Sequence, residues 1–271
     1  MNNTTIETIA VEALAALDQS RQIETFTSRF PQFDAAKAYA VISSIRHKRE
    51  TRGEKQVGRK IGFTNRSMWD EYNIDAPVWG DMYKHSVLLL DSKQSLALAP
   101  FCEPKIEPEI VFQLSCAPQA DMDEYALLDC VQWVGHGFEI VQSIFPDWTF
   151  KVPDTIAGFG MHGILTVGPT VPVTPQNRDS LFASLTNFTV TLSCNDKVME
   201  RGQGSNVLGG PLSALRHLVE LLARDPYNPP LQAGEIITTG TLTRAFAVKT
   251  GESWTTELSG INLPNLALRF D

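Results

Sequence analysis

Residues 107–114 read Glu-Pro-Glu-Ile-Val-Phe-Gln-Leu, and residues 137–141 read Gly-Phe-Glu-Ile-Val. Both runs have the apolar, β-branched texture of interior strand, yet they carry Glu107, Glu109 and Glu139. Charged side chains are almost never fully buried unless they are paired or bind a metal. Side chains two apart on a strand face the same way, so Glu107 and Glu109 project together while Pro108 points opposite. A lone Glu-x-Glu arises routinely on the polar face of a half-exposed strand. Glu139 changes that reading, because its apolar neighbours imply a strand covered on both faces. Two adjacent strands of this kind can place three carboxylates around one point. Like charges that close repel unless a divalent cation neutralises them or one takes a proton. Carboxylate oxygens are hard ligands suited to Mg²⁺ or Mn²⁺, so the pattern points to a metal-dependent enzyme for a small anionic substrate.

Outward from these runs, strands are expected at 86–90, 107–114, 137–143, 163–167, 188–194, 235–239, 246–249 and 266–270. Only two helices interrupt them, at 123–133 and at 212–223 after the Gly209-Gly210-Pro211 start signal. The first fifty residues read instead as helix. Thr4 or Thr5 caps a stripe of Ile6, Ile9, Ala10, Leu14 and Leu17, and a second helix begins near Asp34. A glycine-bounded strand spans 58–64, and 67–72 reads as one or two helical turns. Many strands with few helices, and no regular alternation, argue against a doubly wound sheet. The expected class is α+β: a mixed β-roll or sandwich core over 86–271 with a smaller, mainly helical N-terminal part over 1–85.

Composition bounds the function. The chain has 271 residues, 43% hydrophobic and 20% charged, which is ordinary for a globular protein. A net charge of -8 argues against nucleic acid as a partner. The one basic cluster, Arg46-His47-Lys48-Arg49, reads as the last turn of a helix, where cations meet the dipole favourably. No stretch approaches the ~20 apolar residues of a membrane span, and the start lacks the pattern of a signal peptide, so a cytoplasmic protein with no membrane partner is expected. Cys102, Cys116, Cys130 and Cys194 are scattered beside apolar runs and are expected to be buried free thiols.

Lys60 stands between Gly58 and Gly62, where a lysine can stabilise a developing enolate or carboxylate charge. Glu103 and Lys105 share the parity of Glu107 but read as solvated residues at the strand start. His136 is three residues from Glu139 and so points to the opposite face. No zinc signature and no nucleophile elbow is present. The glycines of 202–210 read as a loop leading into the Pro211 helix, whose first amides can meet a substrate carboxylate.

Gly-Arg-Lys-Ile-Gly-Phe-Thr at 58–64, Glu107-Pro108-Glu109, Phe138-Glu139-Ile140-Val141 with Ser143, 207–211 and 239–243 occur together in one order and spacing. In this the chain resembles the 2-keto-4-pentenoate hydratase and 4-oxalocrotonate decarboxylase group of the fumarylacetoacetate hydrolase superfamily. The resemblance implies Mg²⁺ or Mn²⁺ held by Glu107, Glu109 and Glu139, Lys60 facing the substrate, and a homo-oligomer, with a complex to a related decarboxylase as one form. Gln142, Gly209 and Thr241 lie in or beside the matched motifs and are candidate substrate contacts. Three segments depart from the family pattern. Val78 follows Pro77 where the family has Asp, Gln142-Ser143-Ile144 replaces Asp-Ser-Arg, and Ala157-Gly158-Phe159 replaces Ala-Asp-Asn. Asp81 and His162 lie close to the altered segments and are candidates for a replacement acid or base. The expected function is a hydro-lyase adding water to a 2-hydroxy-2,4-dienoate, as in meta-cleavage breakdown of aromatic compounds. A 2-keto dicarboxylate decarboxylase, an acylpyruvate hydrolase and a non-catalytic accessory subunit are the alternatives.

Overall fold

The N-terminal helices form where the apolar stripes place them. In the computed structural model, which describes residues 3–66, 69, 74–90 and 95–271, α1 (Asn3–Asp18) buries Ile9, Ala10, Ala13 and Leu14. After the short α2 (Phe26–Arg29), Asp34 caps α3 (Ala35–Thr51) by accepting a hydrogen bond from the Lys37 amide at 3.0 Å. The basic cluster ends α3 as expected, but Arg46 and Arg49 turn inward and are buried. The helical turn expected over 67–72 lies outside the described residues, Trp69 excepted.

The remaining chain builds two sheets. Its elements are β1 (Gln56–Gly62), β2 (Val78–Tyr83), β3 (Val87–Leu89), β4 (Ser95–Leu96), β5 (Lys105–Leu114), α4 (Glu124–Asp129), β6 (Val131–Val141), α5 (Val152–Ala157), β7 (His162–Val167) and β8 (Val171–Pro172). There follow α6 (Arg178–Asn187), β9 (Thr189–Cys194), β10 (Lys197–Gln203), α7 (Pro211–Ala223), β11 (Ile236–Thr241), β12 (Phe246–Ala247), β13 (Ser253–Ser259) and β14 (Ala267–Phe270). The large mixed sheet runs β2-β1-β11-β5-β6-β7-β3, with β12 on β5 and β8 on β6. The small one runs β10-β9-β13-β14-β4. Among the described residues no helix is long and apolar enough to cross a membrane.

The even-numbered residues of β5 face two cores. Ile106 packs with Phe138, Ile140 and Ile164 against Leu192, Trp254 and Phe270 of the small sheet. Ile110, Phe112 and Leu114 belong to the main core with the helices α1, α3, α5 and α7. The odd face carries Glu107 and Glu109. A slip of one residue would exchange these faces, so burial on the even side fixes the register that puts the carboxylates together.

Three expectations need correction. The helix expected over 123–133 stops at Asp129, because Val131 to Val134 pair with β5 and β8 instead. Among the described residues, α5 and α6 also interrupt the strand region, where only two helices were expected. Both are short, and α6 buries only Leu181 and Leu185, too weak a stripe to read. The cysteines are free, but only Cys130 is buried and Cys116 is exposed.

A buried ion network ties α3 to the sheet. Arg46 donates to both oxygens of Asp81 at 2.8 and 3.0 Å, Arg59 donates to Asp81 at 3.3 Å, and Arg59 also pairs with Glu235 at 3.0 Å. Removing one partner from such a network strands the others without solvent. Asp81→Ala should therefore cost about 3–5 kcal/mol in urea unfolding. Arg52→Ala, which removes the exposed partner of Asp18, should cost at most about 1 kcal/mol. Equal losses would show that burial does not give Asp81 its weight.

Candidate metal centre and substrate cavity

β5 and β6 bring the three glutamates together through their register. Glu107 stands directly opposite Glu139, and Glu109 opposite Gly137. One oxygen from each of Glu107, Glu109 and Glu139 lies within 4.8 Å of the others. Gly137 allows β7 to pack close against β6 beside the cluster, since a Cβ there would come 2.7 Å from the Thr166 carbonyl oxygen.

A bulge in β11 supplies the next contact. Thr238 pairs with Val111 and Thr241 with Glu109, so one extra residue is inserted between them. Gly240 takes the left-handed conformation there, with φ of 94°, and its amide donates to Glu109 Oε2 at 2.7 Å. A Cβ on Gly240 would meet Thr64 Oγ1 at 1.9 Å, so both the conformation and the space require glycine.

Two further groups flank Glu139. Its Oε1 accepts from His162 Nδ1 at 2.7 Å, and His162 Nε2 shares a 2.9 Å hydrogen bond with Ser86 Oγ. Lys60 Nζ stands 3.5 Å from Glu139 Oε2. Glu109 Oε1 and Glu139 Oε2 are buried and accept no hydrogen bond. Orphaned carboxylate oxygens are costly in a protein interior, and two of them converging beside a third carboxylate fit a hard divalent cation.

The electrostatics agree with that fit. Burial alone would lower the Lys60 ammonium, but the charges of Glu139, Glu107 and Glu109 outweigh it and hold its pKa above the usual lysine value. Burial, then the charges of Glu139 and Glu107, push Glu109 well above the carboxylate range. Burial likewise lifts Glu107 to about 7. Burial pushes Glu139 the same way, but Lys60 and the His162 hydrogen bond win and bring it to about 2. Without a cation the cluster thus keeps Glu139 ionised and crowds protons onto its neighbours.

A cavity of about 190 Å³ opens above the cluster. Lys60, Thr64, Asn65, Glu107 and Thr241 form its polar floor, with Lys105 beside them. Ile61, Phe63, Val141, Trp148, Phe150 and Met161 form an apolar wall. The turn carrying Met161 is strained: Phe159 and Met161 both have left-handed φ, at 65° and 64°. It lies against β2 at Gly80, where a Cβ would come 2.4 Å from the Phe159 carbonyl oxygen.

The structure therefore gathers Lys60, Glu107, Glu109, Glu139 and Thr241, with His162 behind Glu139. It does not bring Asp81, Gln142 or Gly209 to this cavity. Asp81 is held by the buried arginines of α3 and β1. Gln142 Oε1 accepts from the Cys102 amide at 3.1 Å and lines a different hollow. Gly209 is exposed, while the Leu208 amide beside it donates to the Thr64 carbonyl and braces that residue. Val78, Ile144 and Phe159, at the three departures, are buried in the main core. His136 points away as expected and bonds the Glu109 carbonyl oxygen and Thr256 Oγ1, both at 2.9 Å. Burial holds its pKa down at about 4.

Lys105 corrects the expectation of a solvated residue, for it is half-buried and its ammonium lies 3.9 Å from the centre of the Trp148 ring. Its parity with Glu107 was the available signal. Trp148 and Phe150 gave none, because they sit on an irregular turn with Asp147 and Trp148 both at positive φ.

Known proteins resemble this chain in sequence and in fold. The chain is 29% identical over 257 residues to a 2-keto-4-pentenoate hydratase of Paraburkholderia phymatum, covering 94% of each. It is 28% identical over 257 residues to a 2-hydroxyhexa-2,4-dienoate hydratase of Comamonas testosteroni, again covering 94% of each. In fold it matches the 4-oxalocrotonate decarboxylase of Pseudomonas putida G7, solved with magnesium and adipate. The TM-score is 0.91 over 100% of this chain and 99% of that one, at 24% identity. The fumarylacetoacetate (FAA) hydrolase C-terminal family model matches residues 73–267, and the chain belongs to that family.

Proposed function

We propose that the protein is a metal-dependent hydro-lyase that adds water to a 2-hydroxy-2,4-dienoate, or to its 2-keto-4-enoate tautomer. The observation that carries this reading is the pair of orphaned oxygens on Glu109 and Glu139 beside a lysine held in its charged form. Two hydratases among its relatives act on substrates of this kind by name, which supports it further.

Glu107, Glu109 and Glu139 would hold Mg²⁺ or Mn²⁺. Such an ion, when bound, supplies Lewis-acid polarisation of a 2-keto acid. Lys60 Nζ faces the same space and donates to the oxygen that gains charge as the enolate develops, an electrostatic contribution made in a cavity partly open to solvent. Thr64, Asn65 and Thr241 offer hydroxyl and amide groups that orient the substrate on the floor. Phe63, Trp148 and Phe150 exclude bulk water from the conjugated carbons. His162 and Ser86 hold Glu139 in place from behind rather than touching substrate. Self-association belongs to the same reading: Leu89, on the edge strand β3, is 72% exposed beside Trp133 and Ile236.

The carboxylate cluster predicts an inversion of stability. In the folded metal-free protein Glu109 is raised above its unfolded value, so the folded state loses stability as pH rises through that window. Glu109→Gln keeps an acceptor for the Gly240 amide and removes this loss. Metal-free Glu109→Gln should therefore melt above wild type at pH 8, with the gap closing toward pH 4. Saturating Mg²⁺ should reverse the order, because it binds folded wild type. Thermal melts that keep one order with and without Mg²⁺ would argue against the cage.

Turnover tests the chemistry directly. With Mg²⁺ or Mn²⁺, wild type should consume the dienol absorbance of 2-hydroxypenta-2,4-dienoate without releasing CO₂. Lys60→Met should lower kcat by about 10²–10³, as removal of one donor to a developing oxyanion does. CO₂ release from 2-keto-3-hexenedioate, with the dienoate untouched, would move the assignment to a decarboxylase.

A further inference from the structure

Lys105 is a cation waiting for a partner. Among the described residues its ammonium makes no ion pair or hydrogen bond, although the residue is half-buried at the cavity, and that ammonium rests on the Trp148 ring at 3.9 Å. It lies two residues from Glu107 on the same strand face, about 7 Å along β5, so it stands beside the metal centre and not in it.

A charge count gives this position its meaning. One divalent cation held by the three carboxylates, together with the Lys60 ammonium, would balance their charge. Counted over the described lining residues, Lys105 would then leave the loaded cavity with a single positive charge. Among the described residues lining it there is no further cation. The rest of the wall is apolar, formed in part by Phe63, Trp148 and Phe150. The exposed Glu103, whose charge also reaches Lys105, would repel a second anion.

We propose that Lys105 is the counter-ion of the one substrate carboxylate, and that the aromatic wall takes an uncharged carbon tail. The site thereby selects monocarboxylic over dicarboxylic 2-keto acids. The inference rests on the metal-dependent reading above and names the substrate class within it. A second carboxylate would meet an apolar wall without a partner, and leaving a charge unpaired against such a surface is costly.

Two saturated 2-keto acids of equal length separate the possibilities. Calorimetric titration of the Mg²⁺-loaded protein would compare 2-oxohexanoate with 2-oxohexanedioate, which differ only in the charge of the tail. The monoacid should bind at least about tenfold more tightly, and Lys105→Gln should weaken it by about tenfold, the scale of one lost charge-assisted hydrogen bond. Lys105→Arg, which keeps the charge, should retain most of the affinity. Tighter binding of the diacid, lost in Lys105→Gln, would overturn the proposal and make Lys105 the reader of a distal carboxylate. Equal affinity for both acids, with dienoate turnover intact, would overturn the selectivity alone and leave the hydro-lyase reading standing. Binding of neither acid, with no dienoate turnover, would overturn both.

Discussion

The structure depends on holding Glu107 and Glu139 face to face across an antiparallel strand pair. Like charges directly opposite destabilise a sheet, and here the pair lies in an interior with little solvent. The fold answers from both flanks: His162 arrives from the neighbouring strand β7, and Lys60 from β1, beyond β11 and β5. Three strand spacings amount to about 14 Å in a flat sheet, further than a lysine reaches. The 3.5 Å approach of Lys60 to Glu139 therefore requires the large sheet to curl. The bulge at Gly240 contributes at the same place, sharpening local twist and turning an amide onto Glu109. Curvature and chemistry are in this sense one feature of the fold.

The sequence showed this centre clearly because a buried carboxylate is chemically anomalous. Glu107, Glu109 and Glu139 stood out against apolar neighbours, and Lys60 against its bounding glycines. The strands carrying them were legible for the same reason, although β6 begins earlier than its hydrophobic run suggested. Elements whose residues are buried on every side carried no period to read. All six residues of β2 are buried, so no alternation marks it as a strand. Asp81 looked like a candidate acid because its nearness to the altered Pro77-Val78 segment was visible. Its arginine partners, 35 and 22 residues away in sequence, were not. Gln142 and Gly209 lie outside the cavity lining for a similar reason, since adjacency in a motif does not say which way a side chain or a loop turns.

The departures from the family pattern acquire a physical reading. Val78, Ile144 and Phe159 replace polar types and are all absorbed into the main core. Apolar packing occupies the positions where the family resemblance implied polar residues, and Phe159 heads a left-handed turn pressed on Gly80. That turn presents Met161 and Gly160 to the cavity, so the altered segment still shapes the space beside Lys60. Strain of this kind persists only where the surroundings over-determine it. Here the close approach at Gly80 and the packing of Phe159 supply that constraint.

Rigid and adaptable parts of the cavity have separate origins. Every carboxylate and the lysine of the centre lie on strands of one sheet, anchored by register and by burial of the opposite face. Trp148, Phe150 and Met161 lie on irregular turns with unusual backbone angles, outside the hydrogen-bond ladders. Positioning for bond making tolerates little displacement, whereas recognition of a tail is set by which side chains the turns present. Lys105 stands at the boundary, on the first residue of β5 but stacked on the turn residue Trp148. A change in the turn therefore reaches the charge balance of the site through Lys105, while leaving the three glutamates where the sheet holds them.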